Sequence, residues 1–177
     1  MSPSISVDDW PSAPVLRSPR LSLEPLRVDH AEEMGGLLED PALYAFTGGH
    51  PVTADELRRR YRRQALGRSS DGSERWFNWI VRLEQSGQAV GTVQATVTVR
   101  GDRLRAALAW VIGSSHQRRG YGREAAMAMA AWLREQGAHD LVADIHPRHA
   151  ASIKVARALG LAPTDEVIDG EIRWRGA

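Results

Sequence analysis

Apolar and polar positions recur with period two in some stretches and near 3.6 in others, and their order predicts the elements. Residues 20–26 set Leu21 and Leu23 against Ser22 and Glu24, which predicts a first strand. Val28-Asp29-His30 then leads into a helix that closes near Pro41, because proline disfavours helical backbone at the residue before it. Thr53, with Glu56 three residues on, forms a capping box that opens a basic helix over residues 54–66. Residues 76–83 and 90–99 are β-rich runs around Ser86-Gly87, a hairpin pattern. Gly101-Asp102 turns the chain into 106–112, an almost wholly apolar run that reads as a buried strand. Residues 123–136, rich in Ala, Met and Leu and free of Pro, predict a helix with Gly137 as its C-cap. A strand at 141–145, a helix at 147–159 closed by Gly160, and a hairpin within 167–174 around Asp169-Gly170 complete the chain.

This order predicts a mixed α/β domain, four helices flanking a central sheet of six to seven strands. Residues 1–17, with Pro3, Pro11 and Pro14, read as a loose tail to which Trp10 and Val15 offer points of attachment; residues 18–177 read as a single domain. The 177 residues suffice for a sizeable core. A formal net charge of +1 gives no global field that would draw in nucleic acid or an anionic membrane. The run Arg58-Arg59-Arg60 and Arg62-Arg63 spreads its charge around a helix, so it reads as a solvated face. With no cysteine, disulfides, thiolate metal sites and a cysteine nucleophile are excluded. No basic segment followed by an apolar run opens the chain, and no window approaches a membrane span, so a cytoplasmic protein is expected.

The stretch with most chemical content is Gln117-Arg118-Arg119-Gly120-Tyr121-Gly122, between the apolar strand and the following helix. A glycine-bearing loop at a helix N-terminus leaves several N–H groups unpaired at the positive end of the helix dipole, which suits an anion. Arg118, Arg119 and Arg123 add guanidinium forks that match phosphate oxygens.

That loop, the element order and the segment His146-Pro147-Arg148-His149-Ala150-Ala151-Ser152 resemble the GCN5-related N-acetyltransferases. Within that superfamily the chain is most similar to the ribosomal-protein N-terminal acetyltransferase (RimJ/RimL-type) group. Ser18-Pro19-Arg20-Leu21, Asp40-Pro41, Glu124-Ala125 and Ala158-Leu159-Gly160-Leu161 extend the similarity to residues 18–175. The resemblance implies a mostly antiparallel sheet splayed to admit acetyl-CoA, and transfer of its acetyl group to a primary amine without a metal. It implies that N–H groups from Arg118 to Arg123, with Gln117, Gly120, Tyr121 and Gly122 shaping the loop, cradle the pyrophosphate. Main-chain groups around Val111 and Ile112 would pair with the pantetheine arm, and an N–H near Val111 would polarise the thioester carbonyl. Ser152 would lie near the departing thiolate, Lys154 would reach a CoA phosphate, and the first two helices with the last hairpin would shape the acceptor pocket. Relatives are monomers or homodimers.

Two positions depart from the pattern: His149 replaces the usual Asn, and Ala107 falls where relatives place a Glu as general base. An α-amine with a pKa of about 8 is roughly a tenth neutral at pH 7, whereas a lysine amine is neutral about once in a few thousand. Either the acceptor amine has a low pKa, or another group replaces the Glu; Glu74, Asp102, His116, His146 and Tyr44 are the candidates. A non-catalytic acyl-CoA-binding module and a nucleic-acid-associated protein are the alternatives. A dinucleotide-binding fold fits poorly, since this loop follows several strands and has only two glycines.

Overall fold

The structure, a computed structural model, describes residues 10–176. Its strands form one sheet in the order β1-β2-β3-β4-β5-β6-β8-β7. The strands are β1 (Leu16–Arg17), β2 (Leu21–Pro25), β3 (Glu74–Leu83), β4 (Ala89–Arg100), β5 (Arg103–Ile112), β6 (Asp140–Ile145), β7 (Leu161–Ile168) and β8 (Glu171–Gly176). The helices are α1 (His30–Leu38), α2 (Ala54–Gln64), α3 (Tyr121–Glu135) and α4 (Ala150–Ala158). Every adjacent pair is antiparallel except β5 and β6. The sheet has eight strands where the sequence predicts six to seven. The addition is the two-residue β1, too short for periodicity to register.

That short strand also changes the picture of the tail. Trp10 is buried, packing edge-on against Trp132 at 5.9 Å and tilted on Phe77 at 5.4 Å. Trp79 donates its indole N–H to the Pro14 carbonyl at 2.8 Å. The chain from Trp10 onward is therefore part of the packed domain, although Val15 is exposed. The expectation for residues 1–9 lies outside the described residues.

Alternation along the strands divides the core between the two sheet faces. Phe77, Trp79, Val93, Ala95, Ala106 and Leu108 point to the face covered by α3 and α4. Ile80 and Ala89 point the other way, against Met34 of α1 and Leu57 and Tyr61 of α2. The α2 capping box is formed as predicted, with Thr53 and Glu56 each bonding the other's backbone N–H. Leu57 and Tyr61 anchor the basic helix, while Arg59, Arg60, Arg62 and Arg63 are exposed. Among the described residues no helix is long and apolar enough to cross a membrane.

Candidate functional site

The β5–β6 ladder stops early. Its rungs are Arg105↔Asp140, Ala106↔Leu141 and Ala107↔Val142, and beyond Ala107 the two strands part. The β4–β5 ladder runs the full length of β5, from Arg100↔Arg103 to Gly91↔Ile112, and Gly113 N–H donates to the Val90 carbonyl at 2.9 Å. Main-chain groups alternate sides along a strand, so odd-numbered residues of β5 bond β4 and even-numbered ones face β6. Trp110 and Ile112, beyond the last rung, therefore turn their backbone toward the parted edge. Val111, between them, is turned toward β4. Ile112 spends its carbonyl locally, accepting from Gln117 Nε2 at 3.0 Å.

Beyond Ile112 lies the glycine-bearing loop. Arg118 (φ 61) and Gly120 (φ 81) adopt left-handed backbone, and Gly120 caps α3 without a side-chain hydrogen bond. The first α-helical bond is Glu124 N–H to the Gly120 carbonyl, leaving the N–H groups of Tyr121, Gly122 and Arg123 at the open end. Gly122 sits where a Cβ would meet Ile112 Cγ1 at 3.3 Å, so α3 lies close against the end of β5. Arg118, Arg119 and Arg123 are exposed and without a salt bridge among the described residues. Lys154, also exposed, stands in the first turns of α4.

Arg20 fixes this loop from outside. Its guanidinium donates to the Arg119 carbonyl at 3.0 Å, pairs with Glu124 at 2.6 Å and lies 4.9 Å from the Tyr121 ring centroid. Glu124 also accepts from the Ser18 hydroxyl at 2.7 Å and the Arg20 N–H at 2.9 Å. Burial works to raise the Glu124 carboxyl, but these donors outweigh it and hold it below the ordinary range. Sequence reasoning quoted Arg20 and Glu124 only as parts of a resemblance. Their pairing spans 104 residues, and no local pattern announces it.

The far wall of the parted strands is the N-terminus of α4. His149 is its N-cap: Nδ1 accepts the Ser152 N–H at 3.3 Å, which leaves the ring proton on Nε2, 3.3 Å from Ser152 Oγ. Trp110 reaches over from β5 and donates its indole N–H to the same Oγ at 3.2 Å. With two donors on the oxygen, the Ser152 hydroxyl proton is free to point elsewhere. Burial keeps the His149 imidazole below its usual pKa, in keeping with a neutral ring. Phe46, from the segment before α2, lies tilted against His149 at 4.5 Å and His146 at 5.4 Å between ring centroids. A hollow of about 300 Å³ lies beside this segment, lined by Tyr44, Gly49, His50, Val52 and Arg60 among others.

The candidate bases are dispersed. Glu74 and Asp102 lie at the opposite end of the sheet, Glu74 accepting from the Trp76 indole at 2.8 Å. Tyr44 donates to the Leu38 carbonyl at 2.8 Å, and His116 lies in the short turn before the loop. His146 alone among them stands beside the α4 N-terminus, its Nδ1 accepting from Arg148 N–H at 3.1 Å. Ala107 is exposed at the last rung of the ladder, with no ionisable side chain to offer. No cluster of three or more His, Cys, Asp or Glu suited to a metal occurs among the described residues.

Residues 20–162 match the family model described as an acetyltransferase (GNAT) domain. Among solved structures, the chain is similar to an acetyltransferase of the GNAT family from Bacillus anthracis (TM-score 0.72, 16% identity, covering 92% of this chain and 96% of that one). An acetyltransferase from Agrobacterium tumefaciens gives a TM-score of 0.71 at 22% identity over 95% and 96% of the two chains. RimL, a ribosomal L7/L12 alpha-N-protein acetyltransferase in complex with coenzyme A, gives 0.73 at 15% over 92% and 96%. No curated protein sequence matches the chain significantly. A family model spanning most of the chain, on a fold whose β5–β6 edge parts beside a glycine-bearing loop, shows that this protein belongs to the GNAT family and is an N-acetyltransferase that uses acetyl-CoA.

Proposed function

We propose that the enzyme moves the acetyl group of acetyl-CoA to a primary amine by direct attack within a ternary complex. The observation that carries this reading is the parted edge at Trp110 and Ile112, bounded by the Arg118–Arg123 loop at one end and Ser152 across the gap. The loop N–H groups and the charges of Arg118, Arg119, Arg123 and Lys154 hold the phosphates, while Gln117 ties the loop to the strand. The β5 edge pairs with the pantetheine amides as an added strand would, and the N–H of Trp110 or Ile112 polarises the thioester carbonyl. The amine nitrogen, once neutral, bonds to the carbonyl carbon as the C–S bond breaks. The proton it then sheds ends on the sulfur, which Ser152 Oγ–H stabilises as it departs.

RimL acts on a protein α-amine, as its name states, and an α-amine is the acceptor that least needs a strong base at neutral pH. We therefore place protein or peptide α-amines first among acceptors, with small-molecule amines next. A non-catalytic acyl-CoA-binding role is favoured by one observation, the methyl group of Ala107 where a carboxylate is expected. A free-thiol assay with several acyl-CoAs against peptides, polyamines and aminoglycosides separates the two. Acetyl-CoA-dependent thiol release with an amine supports transfer; silence across the panel, with CoA binding seen by calorimetry, supports the binding module.

A further inference from the structure

The arginines of α2 divide into two groups once its buried side is known. Leu57 and Tyr61 mark that side. At about 100° per residue, Arg60, Arg63 and Arg59 fall with Glu56 on one flank, and Arg58 and Arg62 fall on the other. Arg59, Arg60, Arg63 and Glu56 line a hollow of about 370 Å³. Arg60 and Glu56 also line the hollow of about 300 Å³ beside residues 44–52, so the two adjoin. That second hollow leads toward the parted strands. Phe46, with its ring 4.5 Å from that of His149, ties the segment to the α4 N-terminus and Ser152. Val52, on the hollow's wall, packs against the same apolar cluster as Val111 of β5. Gly48 and Gly49, also on the wall, follow Phe46 by at most about 10 Å of chain.

Charge along this path is positive. Arg59, Arg60 and Arg63 are exposed and have no salt bridge among the described residues, whereas Arg58 pairs with Asp55 at 3.0 Å. Glu56 is engaged in the capping box, accepting from the Thr53 N–H at 2.8 Å and its hydroxyl at 3.0 Å. Three guanidiniums thus face one carboxylate, in a protein whose net charge is only +1. We propose that this flank of α2 selects acceptors by charge: the enzyme takes peptide α-amines followed by acidic side chains at about the third to fifth positions. This rests on the acetyl-transfer reading above. An extended peptide advances about 3.3 Å per residue, so with its amine at the thioester the third residue stands about 10 Å out, a span like that from Phe46 to Gly49. Its carboxylate meets Arg60 first, and later ones meet Arg59 and Arg63, whose forks hold carboxylates bidentately. A nucleic-acid strand fits less well. It gains affinity from cations spread along many phosphates, and here three cluster at a hollow that leads to the site.

The test measures kcat/KM at pH 7 and low salt for two peptides that share a free α-amine and differ only at positions three to five, Asp and Glu in one, Asn and Gln in the other. Wild type should favour the acidic peptide by about tenfold, chiefly through KM, and added salt should erode that ratio. Arg60→Gln should cut the ratio to about threefold, and the triple variant Arg59→Gln, Arg60→Gln, Arg63→Gln to about one. Arg62→Gln, on the other flank, should keep the wild-type ratio. Equal rates for the two peptides in wild type, or a ratio that survives the triple variant, overturn the proposal. A charge preference seen only between β-alanine and its amide overturns it too, and assigns the arginines to small amino acids. So does mixed-sequence single-stranded RNA that binds with a steep salt dependence and is lost in the triple variant while the peptide ratio stays. If wild type acetylates neither peptide, both are titrated by calorimetry into the CoA-loaded protein. Tighter binding of the acidic peptide, lost in the triple variant, upholds the charge-selective hollow while the transfer reading falls; equal binding overturns both.

Discussion

Along β5, Arg105 to Ala107 is hydrogen-bonded on both sides, whereas Leu108 to Ile112 has a strand partner on one side only. Both halves alternate apolar side chains into the α3 face, so side-chain character does not separate them. What separates them is the neighbour. At the closed half, Asp140 of β6 is clamped by Arg105 at 2.8 Å and Arg175 of β8 at 2.7 Å, which ties three strands together. At the open half β6 has diverged, and the Trp110 side chain crosses to α4. A strand can thus serve as scaffold and as binding edge at once, provided something rigid stops the ladder from closing over its whole length.

The largest effect should come from overfilling the open half. Gly91 of β4 lies where a Cβ would sit 2.2 Å from the Val111 carbonyl oxygen and 2.7 Å from Ile112 Cδ1. Backbone cannot yield as a side-chain tip can, so Gly91→Ala must displace β5 just where its edge is free. A loss of about 2–3 kcal/mol in urea unfolding is expected, with CoA binding weakened beyond what the lost stability explains. Gly101→Ala, in the β4–β5 turn, should leave CoA affinity unchanged among the molecules that remain folded. Equal CoA affinities for the two variants would break the claim that the halves differ in function.

The clamp on the closed half comes next. The Asp140 side chain is 6% exposed, and Asp140→Ala leaves two guanidiniums facing each other. Both arginines retain access to water, so the cost should be about 1–3 kcal/mol rather than that of a fully buried charge. Burial alone would raise the Asp140 carboxyl, but Arg105 and Arg175 overcome it and hold it below the ordinary value. A depressed folded-state pKa means that this contribution is complete above the unfolded pKa near 4 and is lost as pH falls through the lower folded value. Unfolding midpoints of wild type and variant should therefore converge below pH 4. A gap that persists at pH 2 would show that packing, not charge, is what Asp140 supplies.

The closed half was legible in the sequence in a way the open half was not. Apolar runs, turn residues and the Thr53–Glu56 box are local signals, and they located four helices and six of the eight strands within a few residues; of β7 they caught only the end at the Asp169-Gly170 turn, since the strand already begins at Leu161. The run from Ala106 to Ile112 reads the same at both ends, because where a ladder stops depends on the partner strand. The side to which Val111 turns its N–H is equally invisible until the β4 register is known. The Gln117–Gly122 loop was legible because its residues are contiguous. The contacts of Trp110 with Ser152 and Arg20 with Glu124 join residues 42 and 104 apart, and only the fold brings them together.

A smaller effect tests the Trp110 bridge over the open half. Trp110→Phe keeps an aromatic ring on β5 but removes the N–H that occupies Ser152 Oγ. The hydroxyl can then turn its proton toward other acceptors, so fewer molecules present it to the leaving sulfur. We expect kcat to fall about five- to tenfold, near one hydrogen bond's worth, with thermal stability little changed. Ser152→Ala should lower kcat at least as far, and the double variant should add little, since both changes act through one oxygen. Fully multiplicative losses would mean that Trp110 acts by packing.

The smallest effect concerns the loop at the end of the open half, and it asks whether geometry or charge does the holding. Arg20→Lys retains the positive charge near Glu124, but an ammonium cannot reach the Glu124 carboxylate and the Arg119 carbonyl in the planar, forked manner of the guanidinium. The Arg20 side chain is half exposed, so global stability should barely move. The Arg119 carbonyl, released from its donor, should let the left-handed turn through Arg118 and Gly120 sample other backbone conformations, and each costs the cradle part of its preorganisation. A rise of about three- to fivefold in the CoA Kd is expected, measured by calorimetry at fixed salt. Its salt dependence should match wild type, because no phosphate-facing charge has been removed. Arg119→Ala supplies the contrast: a similar loss of affinity, but with a shallower dependence on salt. If Arg20→Lys flattened the salt dependence too, Arg20 would be a phosphate ligand rather than the brace that shapes the loop.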